Sequence, residues 1–509
     1  MVRVDGGAHD APGNTRTPRN TGAPDQVAVV GGGMVGLCVA WFLQERGVRV
    51  TVFDRDSLTT GPDPAGSGSS WGNAGWLTPG LATPLPEPAV LRYGLRVLWR
   101  SDSPVYVPPV ADPGLARFVA GFVRHSTHRR WQASMRALAP LTTTALEAFD
   151  LLAAGGVSAP TRAAAPFLAG YRERADLDAL LRELEEVRAA GQPVDAEILD
   201  PLAARDLEPL LGEQVRHVAQ VHGQRFCEPG RYVAALVDAV RERGGLVHER
   251  TAVEAVHTSA SGVEVHGVQV RGVQVRGGEV RGGEVRGVHL LDGPGAGTGD
   301  GAGGHVSGGS LDVSTSDATG GRAVGEPGAD RHTGGGHAGG GRFDAVVLAT
   351  GAWLPRLART FGVRVPVQAG RGYSFHVATP EPPSGPIYFP AARVACTPVG
   401  DGLRIAGMME FRRPDAPSDP RRIQAVVEAS RGLLAGVDLE VRTHEWVGPR
   451  PCTPDGLPLI GRTSSPRVFV AGGHGMWGVT LGPVTGRLLA DAVVTGTPAA
   501  ALTPFDPLR

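Results

Sequence analysis

The feature that most constrains this chain is Gly31-x-Gly33-x-x-Gly36, set between an apolar run, Val27–Val30, and a helical pattern through Met34, Val35, Cys38, Trp41 and Phe42. The pattern ends at Gly47, and a second apolar run, Val48–Phe53, leads into Asp54. This order predicts a βαβ unit at the start of the fold. The first glycine permits the tight turn, the second lets a pyrophosphate approach the backbone, and the third lets helix and strand pack closely. The helix N-terminus attracts the pyrophosphate, and Asp54 accepts from ribose hydroxyls. Gly31, Gly33 and Gly36, with Met34 and Val35, are therefore candidates for dinucleotide binding, as are Asp54 and Arg55. The motif alone does not separate NAD from FAD, and a bare glycine-rich turn has the same spacing.

Composition narrows the class. At about 150 residues per domain, 509 residues suggest two or three domains. The 50 basic and 51 acidic residues leave a net charge of −1, which argues against a nucleic-acid binder. No lysine occurs anywhere. That excludes a pyridoxal-phosphate enzyme and a P-loop NTPase, both of which need one. Cys38, Cys227, Cys396 and Cys452 are scattered, so neither a disulfide scaffold nor a metal site is expected, and a reducing, cytoplasmic compartment is. No apolar run is read as reaching the roughly 18 residues needed to span a bilayer, and the N-terminus lacks a secretory h-region.

Residues 1–25 read as a disordered tail. Helices are expected over Leu91–Trp99, Leu115–His125, about Asp176–Ala190, from Pro229 onward, and about Leu481–Val494. Ala345–Leu348 and Val468–Ala471 read as buried strands, and 366–445 alternates like a sheet. Residues 267–287 repeat a five-residue unit, GVQVR then GGEVR, whose odd period flips the side-chain face at each copy. Residues 292–342 are mostly Gly, Ser, Thr, Asp and His and cannot bury a core. Residues 267–342 are therefore read as a low-complexity insertion, disordered between surface strands. His305, His332 and His337 within it have no ligand spacing.

Three further segments carry chemistry. Ser67–Gly75, with Ser69, Ser70, Asn73 and Ala74, offers small residues that let a flat ligand approach the backbone. Gly448–Gly461 is stiff and turn-rich and presents Arg450 between two prolines. A guanidinium grips a carboxylate bidentately, although a structural salt bridge would use the same residue. Gly472–Gly478 joins the last strand to the last helix and offers backbone N–H groups to something anionic, in a flavin site the N1–C2=O edge. No Ser-His-Asp arrangement, carboxylate pair or metal constellation stands out, which suits chemistry carried by a cofactor.

Taken together, VAVVGGGMVGLCVAWFLQERGVRVTVFDRD, SSWGNAGWLTPG, VVLATGAW, VPVQAGRGYSF, IAGMMEF, WVGPRPCTPDGLPLIGRT and AGGHGMWGVTLGPVTGRLLADAV resemble the FAD-dependent amino-acid oxidoreductases that include glycine oxidase and sarcosine oxidase. The resemblance is strongest to the bacterial D-amino-acid dehydrogenases and runs in order from about residue 26 to 495. It implies an α/β (α+β) fold, a Rossmann-like FAD-binding domain with a second, antiparallel-sheet substrate domain. The FAD-binding domain would comprise 26–84, 226–266, 343–365 and 446–505, and the substrate domain 85–225 and 366–445. The resemblance places Gly351 and the loop Gly473, His474, Gly475, Met476, Trp477, Gly478 and Val479 at the cofactor. It makes Arg450 the substrate-carboxylate arginine, points Glu410 towards substrate, and leaves Tyr373 and Tyr388 as weaker catalytic candidates.

Three departures matter. Glycine oxidase-like members carry a tyrosine on the strand occupied here by Val394-Ala395-Cys396, so that carboxylate contact is missing. Cys452 does not match the covalent-flavin motif, so noncovalent FAD is expected. Sarcosine oxidase-like enzymes activate oxygen with a lysine, which this chain lacks. The resemblance thus implies oxidative deamination of a D-amino acid by hydride transfer from Cα to flavin N5, with electrons passed to a quinone or other acceptor. The rivals are an oxygen-using glycine-, sarcosine- or hydroxyproline-type amine oxidase and a noncatalytic, partner-dependent flavoprotein subunit. A nicotinamide dehydrogenase leaves the C-terminal segments unexplained. The Pro-rich, aromatic 76–110 region suits either a substrate lid or peripheral contact with the inner face of a membrane.

Overall fold

The computed structural model describes residues 23–58, 68–91, 105–108, 112–270, 285–287 and 341–509. The expected tail up to residue 22, the helix expected at Leu91–Trp99 after its first residue, and most of the expected insertion lie outside the described residues.

A six-stranded sheet forms one layer, in the order Leu246–His248, Arg49–Phe53, Gln26–Val30, Ala345–Leu348, Val468–Gly472, Leu459–Arg462. All neighbours are parallel except the last pair. Its central strands are apolar along their length because both faces are covered, the usual condition of a parallel sheet. The chain leaves Gln26–Val30 to one side and returns on the other with Ala345–Leu348. That reversal opens a crevice at the strands' C-terminal ends. The helix Met34–Glu45 is buried through Leu43 and packs against the helices Gly478–Thr495 and Pro229–Glu242. Gly486 permits the close crossing, since a Cβ there would lie 2.7 Å from the Cys38 carbonyl carbon.

One sequence reading is corrected here. The helical stretch His128–Ala154 is long and apolar enough, by length and composition, to cross a membrane. Its Leu138, Leu141, Ala148, Phe149 and Leu152 are instead buried in the same core as the Met34–Glu45 helix.

The second layer is a nine-stranded sheet. Along its main path the order is Thr443–Cys452, Gln368–Ala378, Gly402–Phe411, Val394–Val399, Ile387–Phe389, Leu168–Tyr171, His217–Val221, Ala196–Leu199. The neighbours on this path are antiparallel apart from Ile387–Phe389 beside Leu168–Tyr171. The strand Thr443–Cys452 crosses the expected boundary at 445/446, so Arg450 belongs to this sheet rather than to a turn-rich segment. It tolerates Pro449 and Pro451 because it is an edge strand, where a missing N–H costs no ladder bond. The helix Pro420–Ser430 covers the far face with Ile423, Val426 and Val427 against Phe375 and Ile405. The near face looks towards the crevice.

The insertion is narrower than 267–342. The strand Gly262–Val270 runs on through 267–270, within the first copy of the five-residue unit. Its outer edge pairs with 285–287 opposite 268–270 and with Gly341–Phe343 opposite 263–265. The chain therefore leaves one edge at Gly287 and rejoins it at Gly341 three positions further along, with two positions between, so the interrupting segment is 288–340. Loop-closure entropy grows only slowly with length. Replacing 288–340 by two strand-forming residues should give a protein with a Tm within about 4 °C of the parent's, a shift below about 1 kcal/mol for a chain of this size. A larger drop in differential scanning calorimetry would show the segment to be structural.

Candidate functional site

A cleft of about 1520 Å³, its open mouth included, lies at the crevice. Its floor is Gly31–Val35. Gly31 sits at φ +109°, and a Cβ on it would lie 2.4 Å from the Ala349 carbonyl oxygen. Gly36 does not line the cleft; a Cβ there would fall 1.9 Å from the Gly31 carbonyl oxygen, so it sets the helix–strand approach. The helix behind the turn has no acidic residue in its first turn, which leaves its positive end available to a phosphate. Asp54 Oδ2 accepts from Gly32 N at 2.6 Å and Oδ1 from Asp56 N at 2.8 Å. Burial raises the Asp54 pKa, and those two N–H donors oppose the rise. The carboxylate thus braces the turn and keeps lone pairs for ribose hydroxyls.

The cleft continues over Thr350, Gly351, Trp353 and Arg356. The Thr350 hydroxyl is buried without a hydrogen-bond partner among the described residues, and Gly351, at φ +54°, faces open space. An orphaned hydroxyl of this kind fits a ligand with polar edges. Ser69, Ser70 and Asn73 line the opposite wall; Ala74 does not. Ser70 Oγ accepts from Met34 N at 3.1 Å, closing this loop onto the helix start. Arg404 Nη1 donates to the Asn73 carbonyl at 3.0 Å and Ser374 Oγ to that of Gly72 at 2.9 Å, so the antiparallel sheet holds the loop from above. His474, Gly475, Met476, Gly478 and Val479 complete the wall, whereas Gly473 and Trp477 lie behind it. Burial lowers the His474 pKa to about 3, and its Nε2 lies 3.0 Å from Thr485 Oγ1. His474 is therefore a neutral imidazole.

Arg450 enters the cleft from the edge strand, between Pro449 and Pro451. Protein encloses it, yet part of its surface stays open to the cleft. Burial lowers its pKa, with Cys452 acting the other way, and among the described residues no acidic side chain pairs with it. Its guanidinium lies directly over Gly372, where a Cβ would be 2.2 Å away. Nη1 donates to the Met408 carbonyl at 2.7 Å. Met408 presents that carbonyl from a bulge, where Met408 and Met409 oppose one residue of the neighbouring strand and Met408 takes φ +65°.

Strand alternation corrects two expected catalytic residues. Gly370, Gly372 and Ser374 share the near face with Arg450, so Arg371 and Tyr373 point to the far face. Glu410, opposite Arg371, goes with them. Glu410 is fully buried, accepts from Tyr373 Oη at 2.7 Å, and pairs with Arg371 at 3.3 Å and Arg422 at 3.4 Å. Neither Glu410 nor Tyr373 reaches the cleft. Tyr388 does lie on the near face but packs edge-to-face against Trp76, ring centroids 5.1 Å apart, away from the cleft lining. Burial raises the pKa values of both tyrosines. Gly372, Thr350, Trp353 and Arg356 escaped the sequence reading. Only the glycine in QAGRGYSF and the ATGAW turn after a buried strand hint at them. All four cysteines are buried, and burial pushes the Cys452 and Cys227 thiols to about 12. None is a thiolate able to attack a flavin at neutral pH.

Known proteins match this arrangement. A family model described as DAO, FAD dependent oxidoreductase, matches residues 26–306 and 313–492. D-amino acid dehydrogenase from Phenylobacterium zucineum (strain HLK1) is 28% identical over 491 residues, covering 94% of this chain and 96% of that protein. D-amino acid dehydrogenase from Cereibacter sphaeroides (strain ATCC 17029 / ATH 2.4.9) is 26% identical over 475 residues, covering 92% and 91%. The crystal structure of glycine oxidase from Geobacillus kaustophilus superposes with a TM-score of 0.60 at 22% identity, over 96% of this chain and 98% of that one.

Two outcomes follow from the site. Gly372→Ala should displace the Arg450 guanidinium and lower kcat/KM at least about tenfold, the loss of one charge-assisted hydrogen bond. Its FAD content, read from the visible spectrum, should stay at one per chain. His474 binds its proton far less readily folded, at about 3 against 6.5 for the free side chain. The unfolded chain therefore takes up more protons as pH falls through 6.5, and stability drops over that window. The Tm of His474→Gln should fall less steeply than the parent's between pH 7 and about 4.5. Parallel Tm–pH curves would refute the assignment.

Proposed function

The chain belongs to the FAD dependent oxidoreductase (DAO) family, and from that premise we propose that it oxidatively deaminates a D-amino acid. The products are the 2-oxo acid and ammonia, with two electrons delivered to a quinone-type acceptor. The observation that carries this reading is Arg450, a cation enclosed in protein and without an acidic partner among the described residues. A carboxylate ligand would supply the missing counter-charge bidentately. FAD, when bound, supplies the two-electron acceptor for the hydrogen on the substrate Cα.

This chain's residues do the rest by position. The Met408 carbonyl and the space above Gly372 fix the guanidinium plane, and with it the substrate carboxylate. The acidic residues lining the cleft, Asp54 and Asp56, stand at the ribose side, and the wall near Arg450 carries Pro449, Pro451, neutral His474 and Met476. Nothing there compensates an ammonium, so the wall favours the neutral amine. The D-configuration follows the curated relatives' names, both D-amino acid dehydrogenases. Absence of lysine supports a dehydrogenase over a lysine-assisted oxidase.

The test is anaerobic addition of D-amino acids, L-amino acids, glycine, sarcosine and prolines to the holoprotein, following bleaching of the flavin band. D-amino acids should bleach it, and Arg450→Ala, with FAD still bound, should lose roughly 10- to 200-fold in kcat/KM. Dye reduction should exceed oxygen uptake. Bleaching by glycine, sarcosine or prolines alone would move the chain to the amine oxidases, and no bleaching by any amine would make it a partner-dependent subunit.

A further inference from the structure

Asp415 lies on the segment between the strand Gly402–Phe411 and the helix Pro420–Ser430, far along the chain from the dinucleotide turn. Its Oδ1 accepts from the Trp353 indole N–H at 2.7 Å, and its Oδ2 from Arg356 Nη2 at 3.1 Å. Arg55 Nη1 stands 3.5 Å from Oδ1, while the Arg55 guanidinium lies 3.5 Å over the Trp353 ring. Arg55, Trp353 and Arg356 all line the cleft, and Arg55 directly follows the ribose-side Asp54. One carboxylate from the antiparallel sheet thus ties the two lips of the parallel-sheet crevice together at its adenosine end.

The segment that carries Asp415 is anchored from below. Arg371, buried on the far face, donates to the Ala416 carbonyl at 2.7 Å and the Pro417 carbonyl at 3.1 Å. Glu410 holds Arg371 in turn, and also pairs with Arg422, whose guanidinium lies 3.8 Å over the Tyr106 ring. The buried cluster is remote from the cleft, but it fixes the backbone that directly follows the residue that reaches it.

We propose that Asp415 is a cofactor-retention latch: it holds Trp353, Arg356 and Arg55 together across the adenosine end of the cleft, so FAD leaves only when this contact opens. The Glu410–Arg371 pair acts through the segment as a positioning element. The inference rests on the family's FAD and not on the proposed substrate.

The experiment uses the holoprotein and reads release of free flavin by its fluorescence after dilution, without substrate. Asp415→Ala should accelerate release about tenfold, a modest value because Asp415 and its two charged partners are partly exposed. Asp415→Asn, which can still accept from Trp353, should lie between Asp415→Ala and the parent. About 1 M salt, where the Debye length is about 3 Å, should speed the parent towards the Asp415→Ala rate and leave that variant little changed. The apoproteins should keep the parent's Tm, since Arg371 grips backbone carbonyls rather than Asp415. Release rates within twofold of the parent would overturn the latch. A chain that no amine reduces would still release FAD faster as Asp415→Ala, so this result stands or falls apart from the substrate assignment.

Discussion

A guanidinium enclosed in protein with no carboxylate beside it among the described residues is the arrangement around which the upper half of this molecule is built. Leaving a buried charge unpaired costs about 3–5 kcal/mol in measured cases. Here the charge rests on the Met408 carbonyl, over Gly372, with a share of its surface kept open to the cleft. Each support is local and unusual. The bulge puts a non-glycine residue at positive φ, the neighbouring strand gives up a side chain, and the edge strand carries prolines on both sides of the arginine. Strain collected at one place that also opens into a cofactor cleft is what a binding site looks like before its ligand arrives.

The opposite face solves the same problem differently. Arg371 and Arg422 are as deeply buried as any side chain in the protein, but they share Glu410, the carbonyls of 416 and 417, and the rings of Tyr373 and Tyr106. That cluster balances its charges among its own members and stands away from the cleft lining. Two buried cationic centres on one sheet, one compensated and one not, separate structure from function more sharply than residue type does.

This contrast also explains what was legible in the sequence. The turn Gly31–Gly36 and Asp54 could be read because strand, turn, helix and strand follow one another directly, and each glycine's job is set by near neighbours. Arg450 could be read because two prolines isolate it. The face of Glu410 could not be read. Alternation has period two, and the bulge at Met408–Met409 displaces it by one, which moves every later side chain to the other side. Gly372 was invisible for another reason: its value lies in Arg450 crossing above it from a strand contributed 78 positions later, by their numbers in the chain. The apolar stretch through 128–154 misled in the same way, since its partners in the core come from both ends of the fold.

The cofactor cleft is therefore a seam rather than a pocket of one layer. Its floor belongs to the parallel sheet, while the antiparallel sheet secures its walls through Arg404 on Asn73, Ser374 on Gly72 and Asp415 on Trp353. A ligand that bridges such a seam binds only when the two layers are docked, so its binding energy is added to the docking equilibrium. The same linkage runs backwards: whatever loosens the layers weakens the cofactor. It follows that sites which never touch FAD or substrate, Arg404 and the Glu410 cluster among them, are expected to register first in cofactor affinity and only then in catalysis, because the seam opens before the chemistry at Arg450 is disturbed.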